Sequence, residues 1–112
     1  MTVAVSSQSE EPGGIGFSLD RNGIILDVDE SIKDLIGFEK EELVGQNFRL
    51  FIHSQDLPGL FVSFQKTLDG QLEPYEYRLV TKSGDHVLVR SSSVPVKQNG
   101  LSVGLKGSLI KI

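Results

Sequence analysis

The sequence predicts an α+β fold in which one antiparallel sheet carries its helices on a single face. Residues 15–28 and 75–109 contain apolar residues that alternate with polar ones or form Val- and Leu-rich runs, which is typical of strands. Residues 57–68, which lie between these regions, carry apolar residues at the spacing of an amphipathic helix. The predicted order is therefore two strands, short helices, one longer helix and three further strands.

The amino-terminal region divides into a linker and a first hairpin. Residues 1–14 are rich in Ser, Gln, Glu and Gly without an apolar period, which predicts a flexible lead-in or linker. The folded domain is predicted to cover residues 15–112. Ile15, Phe17 and Leu19 alternate as in a half-buried strand, and the Asn-Gly pair at 22–23 predicts a tight turn into a second strand over residues 24–28.

Two short helices are predicted to follow, over residues 30–37 and 38–45. Asp29 and Ser31 offer side-chain oxygens that can cap the first helix, and Gly37 ends it. The second helix has acidic residues near its amino end and Gly45 just beyond its last turn.

The longer helix is predicted to begin near Asp56 as its N-cap, with Pro58 in the first turn. Turn signals at residues 83–84 and 98–100 separate the last three strands. The apolar residues of the helix form one predicted stripe, composed of Leu57, Leu60, Phe61, Phe64 and Leu68.

Composition excludes several classes of function. A chain of 112 residues suffices for one core, and a net charge of −4 with scattered Lys and Arg argues against nucleic acid as a partner. The absence of cysteine excludes disulfides, thiolate metal sites and thiol catalysis, and it fits a cytoplasmic location. No apolar run reaches the roughly 20 residues that a membrane span needs, so no membrane contact is predicted for this segment.

No group of residues predicts catalysis. Asp27 and Asp29 share a strand face, and Glu41 is adjacent to Glu42, but neither pair has a positioned His or a set of metal ligands beside it. The glycines match no phosphate-binding loop, and no Ser-His-Asp order indicates a nucleophile. We therefore predict no enzyme activity for this segment.

Neither of the two histidines is predicted to bind a metal or haem. His53 lies in the loop before the longer helix, where we expect its ring to brace the loop through a hydrogen bond. His86 follows a hairpin turn and is predicted to face solvent.

Several short motifs occur in a fixed order along the chain. They are DRNGII at 20–25, LIGF at 35–38, ELVG at 42–45, IHSQD at 52–56, YRL at 77–79, KSG at 82–84 and GSLIKI at 107–112. In this order and spacing, residues 15–112 resemble the PAS family of sensory domains. The resemblance implies a five-stranded antiparallel sheet with short helices and one connecting helix on one face.

The same resemblance implies a sensory or signal-transduction module of a larger protein, such as a histidine kinase or another two-component or cyclic-dinucleotide signalling protein. Binding of a ligand or partner would change the packing of sheet and helices, and residues 101–112 would pass the change to a covalently linked output domain. The chain stops as its last strand ends, as expected if such a domain follows. Lys111 stands where many relatives carry a closing Asp, which argues against charge-based coupling and leaves mechanical transmission through the strand open.

The apolar residues between the predicted helices and the sheet have two interpretations. A domain of this size needs its aromatic residues for a core, but the same residues could line a pocket for a small, mostly apolar ligand. Asn47 and Arg49 are the candidate polar contacts of such a pocket. Its candidate lining comprises Phe38, Leu43, Phe48, Phe51, Leu60, Phe61 and Phe64.

Light-sensing relatives bind flavin through a Gly-x-Asn-Cys-Arg-Phe-Leu-Gln signature, which residues 45–52 match in part. Gly45, Asn47 and Arg49 agree with the signature, and the Arg49 guanidinium could meet a phosphate. Phe48, however, stands in place of the Cys that forms the photoadduct. Arg49 has a second interpretation as part of a surface ion pair with Glu41 or Glu42.

Three further positions bear on cofactor binding. Leu79, Val89 and Leu109 stand where flavin-binding relatives place the Asn and Gln residues that contact the ring, and they complete the candidate pocket lining. Haem-binding relatives place a ligand His on the long helix, and residues 57–68 contain none. We predict no cofactor, with a flavin-binding redox sensor lacking adduct chemistry as one alternative.

A further alternative is a homodimerisation or docking module with a filled core and no ligand. Tyr75 and Tyr77 are predicted to supply this contact from the outward face of the sheet, since aromatic residues suit protein interfaces.

Overall fold

In the computed structural model, which describes residues 14–112, five strands form one antiparallel sheet in the order β2-β1-β5-β4-β3. This arrangement, with the helices on one face, confirms the predicted fold class. The linker predicted over residues 1–14 lies, apart from Gly14, outside the described residues. The strands are β1 Ile15–Asp20, β2 Ile25–Val28, β3 Tyr75–Val80, β4 His86–Gln98 and β5 Leu101–Lys111.

Three α-helices connect the two halves of the sheet: α1 Ile32–Ile36, α2 Lys40–Leu43 and α3 Leu57–Leu68. Two 3-10 turns, Phe48–Phe51 and Ser54–Asp56, lead from α2 into α3. The longest of these helices has 12 residues. Across residues 14–112, none of the helices combines the length and apolarity needed to cross a membrane.

The hairpin turns form where the Asn-Gly pairs predicted them. In the first turn the Gly23 amide donates to the Asp20 carbonyl at 3.0 Å, with Gly23 at a φ of 86°. Between β4 and β5, Asn99 and Gly100 have φ values of 52° and 82°, which suits the twist of a two-residue hairpin.

The apolar stripe of α3 is narrower than predicted. Leu60, Phe64 and Leu68 are buried against the sheet, whereas Phe61 is 44% exposed. Each residue advances about 100° around a helix, so Phe61 lies at the border of a stripe centred on Leu60 and Phe64. The Phe61 ring meets only the edge of the Phe48 ring, with 6.4 Å between centroids.

Ser31 is the N-cap residue of α1, but neither predicted side-chain cap forms. Ser31 makes no capping hydrogen bond. Asp29 Oδ2 instead accepts from the Gly16 amide at 2.8 Å, which ties the loop after β2 to β1. The true side-chain cap lies on α2, where Glu39 and Glu42 form a reciprocal capping box.

Asp56 is the N-cap residue of α3, as predicted, but its side chain makes no capping hydrogen bond, because its carboxylate is engaged by β3. It accepts hydrogen bonds from the Arg78 amide at 2.8 Å, from Nε at 3.0 Å and from Nη2 at 2.9 Å. The Arg78 guanidinium lowers the pKa of Asp56 from 3.8 to about 2. This charge-assisted pair fixes the first turn of α3 to the sheet.

The opposite end of α3 is fixed as well. The Ser102 hydroxyl, on β5, donates to the Leu68 carbonyl at 2.7 Å. A carbonyl in the last turn of a helix has no partner within the helix, so this bond both satisfies it and positions the helix. Helix α3 is therefore attached to the sheet at both ends.

We expect Asp56→Asn to lower the free energy of unfolding by about 1–2 kcal/mol near pH 6, because it removes a charge-assisted, partly buried pair. The folded-state pKa of Asp56 is about 2 and its ordinary value is 3.8. The stabilisation that the Asp56–Arg78 pair contributes should be complete above about pH 4 and should disappear as the pH falls through 2. Urea unfolding of both proteins between pH 6 and 2 measures this difference. Glu76→Gln, at the exposed pair with Arg90, is the control and should change stability little. A difference between wild type and Asp56→Asn that does not depend on pH would contradict the assignment.

Candidate functional site

A cavity of about 100 Å³ lies between the inner face of the sheet and the helices. All five strands and all three α-helices contribute side chains to its wall. An occupant would therefore touch both layers of the fold at once. Because most of the wall is apolar, the cavity suits a molecule that is mainly hydrocarbon.

Most residues of the candidate pocket lie at this wall. The first 3-10 turn contributes Phe48 and Phe51 to the wall, and α2 contributes Leu43. Helix α3 contributes Leu60 and Phe64. Leu79 from β3 and Leu109 from β5 face them from the sheet. The structure thus brings these seven side chains together around one space.

Three residues of the same candidate set lie elsewhere. Phe38 packs edge-on against Phe51, with 5.1 Å between ring centroids, behind the wall. Val89 has no exposed surface and is enclosed within the sheet core. Phe61 is exposed on the border of α3, for the geometric reason given above.

Asn47 and Arg49 do not reach the cavity. The Asn47 side chain joins two backbone segments. Its Oδ1 accepts from the Arg49 amide at 3.1 Å, and its Nδ2 donates to the Asn22 carbonyl, in the turn after β1, at 2.9 Å. Arg49 is exposed, and no salt bridge involves it within residues 14–112. The predicted ion pair with Glu42 is wrong, because Glu42 bonds Lys82 at 2.9 Å.

The prediction that Tyr75 and Tyr77 form an outward dimer face is wrong. Tyr77 is 7% exposed and lines the cavity, and burial raises the pKa of its hydroxyl although a hydrogen bond from Ser91 opposes the change. The Tyr75 hydroxyl lies against Gly59 of α3, where a Cβ would clash with it. Residues two apart on a strand share a face, so both rings point with Leu79 toward the helices.

Sequence reasoning missed the polar part of the wall. Ser63 and Thr67 of α3 and Ser91 and Ser93 of β4 all line the cavity. A signal for them exists in the sequence: Ser91 and Ser93 fall on the same strand face as Val89, and Ser63 and Thr67 fall on the helix face of Leu60 and Phe64. Their hydroxyls are the neutral polar groups that an occupant would meet.

His53 braces the loop before α3, and His86 lies at the start of β4. His53 Nδ1 accepts from the Gln55 amide at 3.1 Å, which is the bracing bond predicted for it. His86 is exposed and stands edge-on to His53, with ring centroids 4.5 Å apart. Within the described part of the chain, no group of three or more His, Cys, Asp or Glu side chains is placed to hold a metal ion.

Comparison with protein families identifies the fold. The family model described as PAS fold matches residues 25–109. The chain is 34% identical over 74 residues to Period circadian protein homolog 3 of Rattus norvegicus, which covers 62% of this chain and 6% of that protein. It is 26% identical over 104 residues to hypoxia-inducible factor 1-alpha of Xenopus laevis, covering 84% of this chain and 13% of that protein. The chain therefore spans only a small part of these relatives.

Solved structures show the same architecture. The PAS domain of a protein from Colwellia psychrerythraea has a TM-score of 0.77 at 25% identity, covering 88% of this chain and 85% of that chain. Drosophila melanogaster Cycle PAS-B with bound ethylene glycol has a TM-score of 0.80 at 18% identity, with coverages of 88% and 99%. The N-terminal domain of a diguanylate cyclase with PAS/PAC sensor from Marinobacter aquaeolei has a TM-score of 0.76 at 16% identity, with coverages of 88% and 94%.

We expect Tyr77→Ala to lower the free energy of unfolding by about 3 kcal/mol or more, since it deletes a buried ring from the core. Leu88→Ala, on the neighbouring strand but 45% exposed, is the control and should cost much less. Urea unfolding at a fixed protein concentration measures both. Equal, small effects would show that Tyr77 does not support the core.

Proposed function

The chain belongs to the PAS family, and we propose that it is the sensory module of a larger signalling protein and binds a small molecule in its internal cavity. The observation that carries the proposal is the cavity itself, whose wall is built from every strand and every α-helix. A molecule bound there would alter contacts in both layers of the fold. A sensor requires such a differential contact between its two states.

Strand β5 is the element that we propose to relay the signal. It is the middle strand of the sheet, between β1 and β4, and it places Leu105 and Leu109 at the cavity wall. Two residues beyond Leu109 the strand ends at Lys111. A change in the packing of Leu109 would therefore reach the point at which a following output domain would be attached.

We further propose that the parent protein is cytoplasmic and belongs to the two-component or cyclic-dinucleotide signalling proteins. One domain of similar fold is the N-terminal domain of a diguanylate cyclase with a PAS/PAC sensor, which supports this class of output. The lack of cysteine supports a reducing compartment.

The cavity argues for a small metabolite rather than flavin or haem. At about 100 Å³ it is smaller than the roughly 300–1,000 Å³ of pockets for drug-sized ligands. Leu79 and Leu109 would place aliphatic side chains against the hydrogen-bonding edge of a flavin. Each flavin group left without a hydrogen bond would weaken binding by about 1–3 kcal/mol. No His lines the wall to ligate haem iron.

We expect denatured wild-type protein to release a small molecule that Ser63→Leu does not retain. The larger side chain would occupy the cavity from α3, where Ser63 is half-buried and at the wall. Mass spectrometry of the released fraction, with a visible absorption spectrum taken beforehand, makes the comparison. Gln65→Leu, exposed on the same helix, is the control. A flavin spectrum would contradict the proposed ligand class, and equal release from wild type and Ser63→Leu would place the bound molecule outside the cavity.

Homodimerisation through the outward sheet face is a second candidate function. Leu88 and Ile112 are 45% and 43% exposed, and the Ile112 amide donates to the Leu88 carbonyl at 3.1 Å. In this hypothesis Leu88 and Ile112, rather than Tyr75 and Tyr77, form the apolar contact of the dimer.

We expect Leu88→Glu to shift a homodimer toward monomer by introducing a charge into the proposed contact. Sedimentation across a concentration series measures this shift, and Leu50→Glu, exposed in the 3-10 turn on the opposite side, is the control. A monomer at every concentration in the wild type would exclude this candidate.

A further inference from the structure

The polar groups at the cavity wall are neutral hydroxyls, and they lie where α3 faces β3 and β4. Ser63 and Thr67 stand one turn apart on α3, while Ser91 and Ser93 stand two residues apart on the inner face of β4. Tyr77 brings a fifth hydroxyl from β3. No charged side chain within residues 14–112 contributes to the wall.

The existing hydrogen bonds leave two of these hydroxyls available. Tyr77 and Ser91 bond each other, and Thr67 Oγ1 donates to the Ser63 carbonyl at 3.0 Å. The hydroxyls of Ser63 and Ser93 have no such bond to another group in the described part of the chain. In the described part of the chain no fully buried side-chain oxygen lacks a partner, so the hydroxyls of Ser63 and Ser93 keep accessible surface, and both residues line the cavity.

An occupant would thus meet one polar end and an otherwise apolar wall. Phe48, Phe64 and Leu109 supply hydrocarbon surface around the same space. A hydroxyl both donates and accepts, so two free hydroxyls complement a ligand that carries a hydroxyl of its own. A charged group would be buried without a counter-charge, which is strongly unfavourable.

From this arrangement we infer that the ligand is a neutral aliphatic alcohol smaller than one aromatic ring, with its hydroxyl bonded by Ser63 and Ser93. The size limit follows from the cavity volume of about 100 Å³, because an apolar cavity that accepts benzene has about 150 Å³. This inference rests on the proposed function, because it names the ligand class of the same cavity.

1-Propanol and 1-chloropropane test the inference, because they share a carbon chain and differ by a hydroxyl in place of a chlorine atom. Calorimetric titration of the wild type should show 1-propanol binding about five- to tenfold more tightly than 1-chloropropane. Ser93→Ala should remove this preference by weakening 1-propanol and leaving 1-chloropropane unchanged. Ser92→Ala is the matched control, since Ser92 points to the opposite face of β4 and should alter neither affinity.

The outcomes separate the inference from the proposed function. Equal affinities for 1-propanol and 1-chloropropane in the wild type, or equal weakening of both by Ser93→Ala, would overturn the hydroxyl ligand class while the cavity would still be a binding site. Failure of both probes to bind the folded wild type up to their solubility limits would overturn the proposed function as well. If Ser93→Ala shows no cooperative urea transition, Ser63→Ala replaces it, and a retained preference for 1-propanol in that variant would overturn the inference.

Discussion

The attachment of α3 to the sheet at both of its ends is the constraint on which the rest of the structure depends. At the first turn Asp56 holds Arg78 of β3, and at the last turn the Leu68 carbonyl accepts from Ser102 of β5. Between these two points the helix presents small side chains, Ser63 and Thr67, to the sheet. The bonds at both ends fix the position of the helix on the sheet, and the short side chains of Ser63 and Thr67 leave space between them and the strands.

This arrangement explains why one small domain can have both a core and a cavity. The two ends of α3 bury Leu60 and Leu68, while the aromatic rings of Phe48 and Phe64 stack with 5.7 Å between centroids at the wall. Interiors normally pack to high density, so an open volume persists only where the surrounding elements cannot collapse. Because α3 is bonded to β3 and β5 at its ends, an occupant that moved the cavity wall would also change the contacts of those strands.

The strand and helix periods predicted the sheet, the helix order and most of the residues that surround the cavity. The period of β3 places Tyr77 and Leu79 on one face, opposite the charged residues, so an outward Tyr77 was inconsistent with a Leu79 at the pocket. The pairing of Asp56 with Arg78 was hidden, because a carboxylate before a helix has the same sequence signature whether it caps the helix or binds a cation 22 residues away. Serine as a residue type carries no burial signal, so only the strand period, which places Ser91 and Ser93 on the face of Val89, could have indicated the polar end of the cavity.

The position of β5 in the sheet has a consequence for how the chain acquires its structure. β5 is the last strand to be synthesised, yet it lies between β1 and β4 and pairs with both along most of its length. During translation, the inner edges of β1 and β4 remain without their partner until residues 101–111 have left the ribosome. Closure of the domain is thus a late, long-range event, and until it occurs two exposed strand edges need protection from intermolecular pairing.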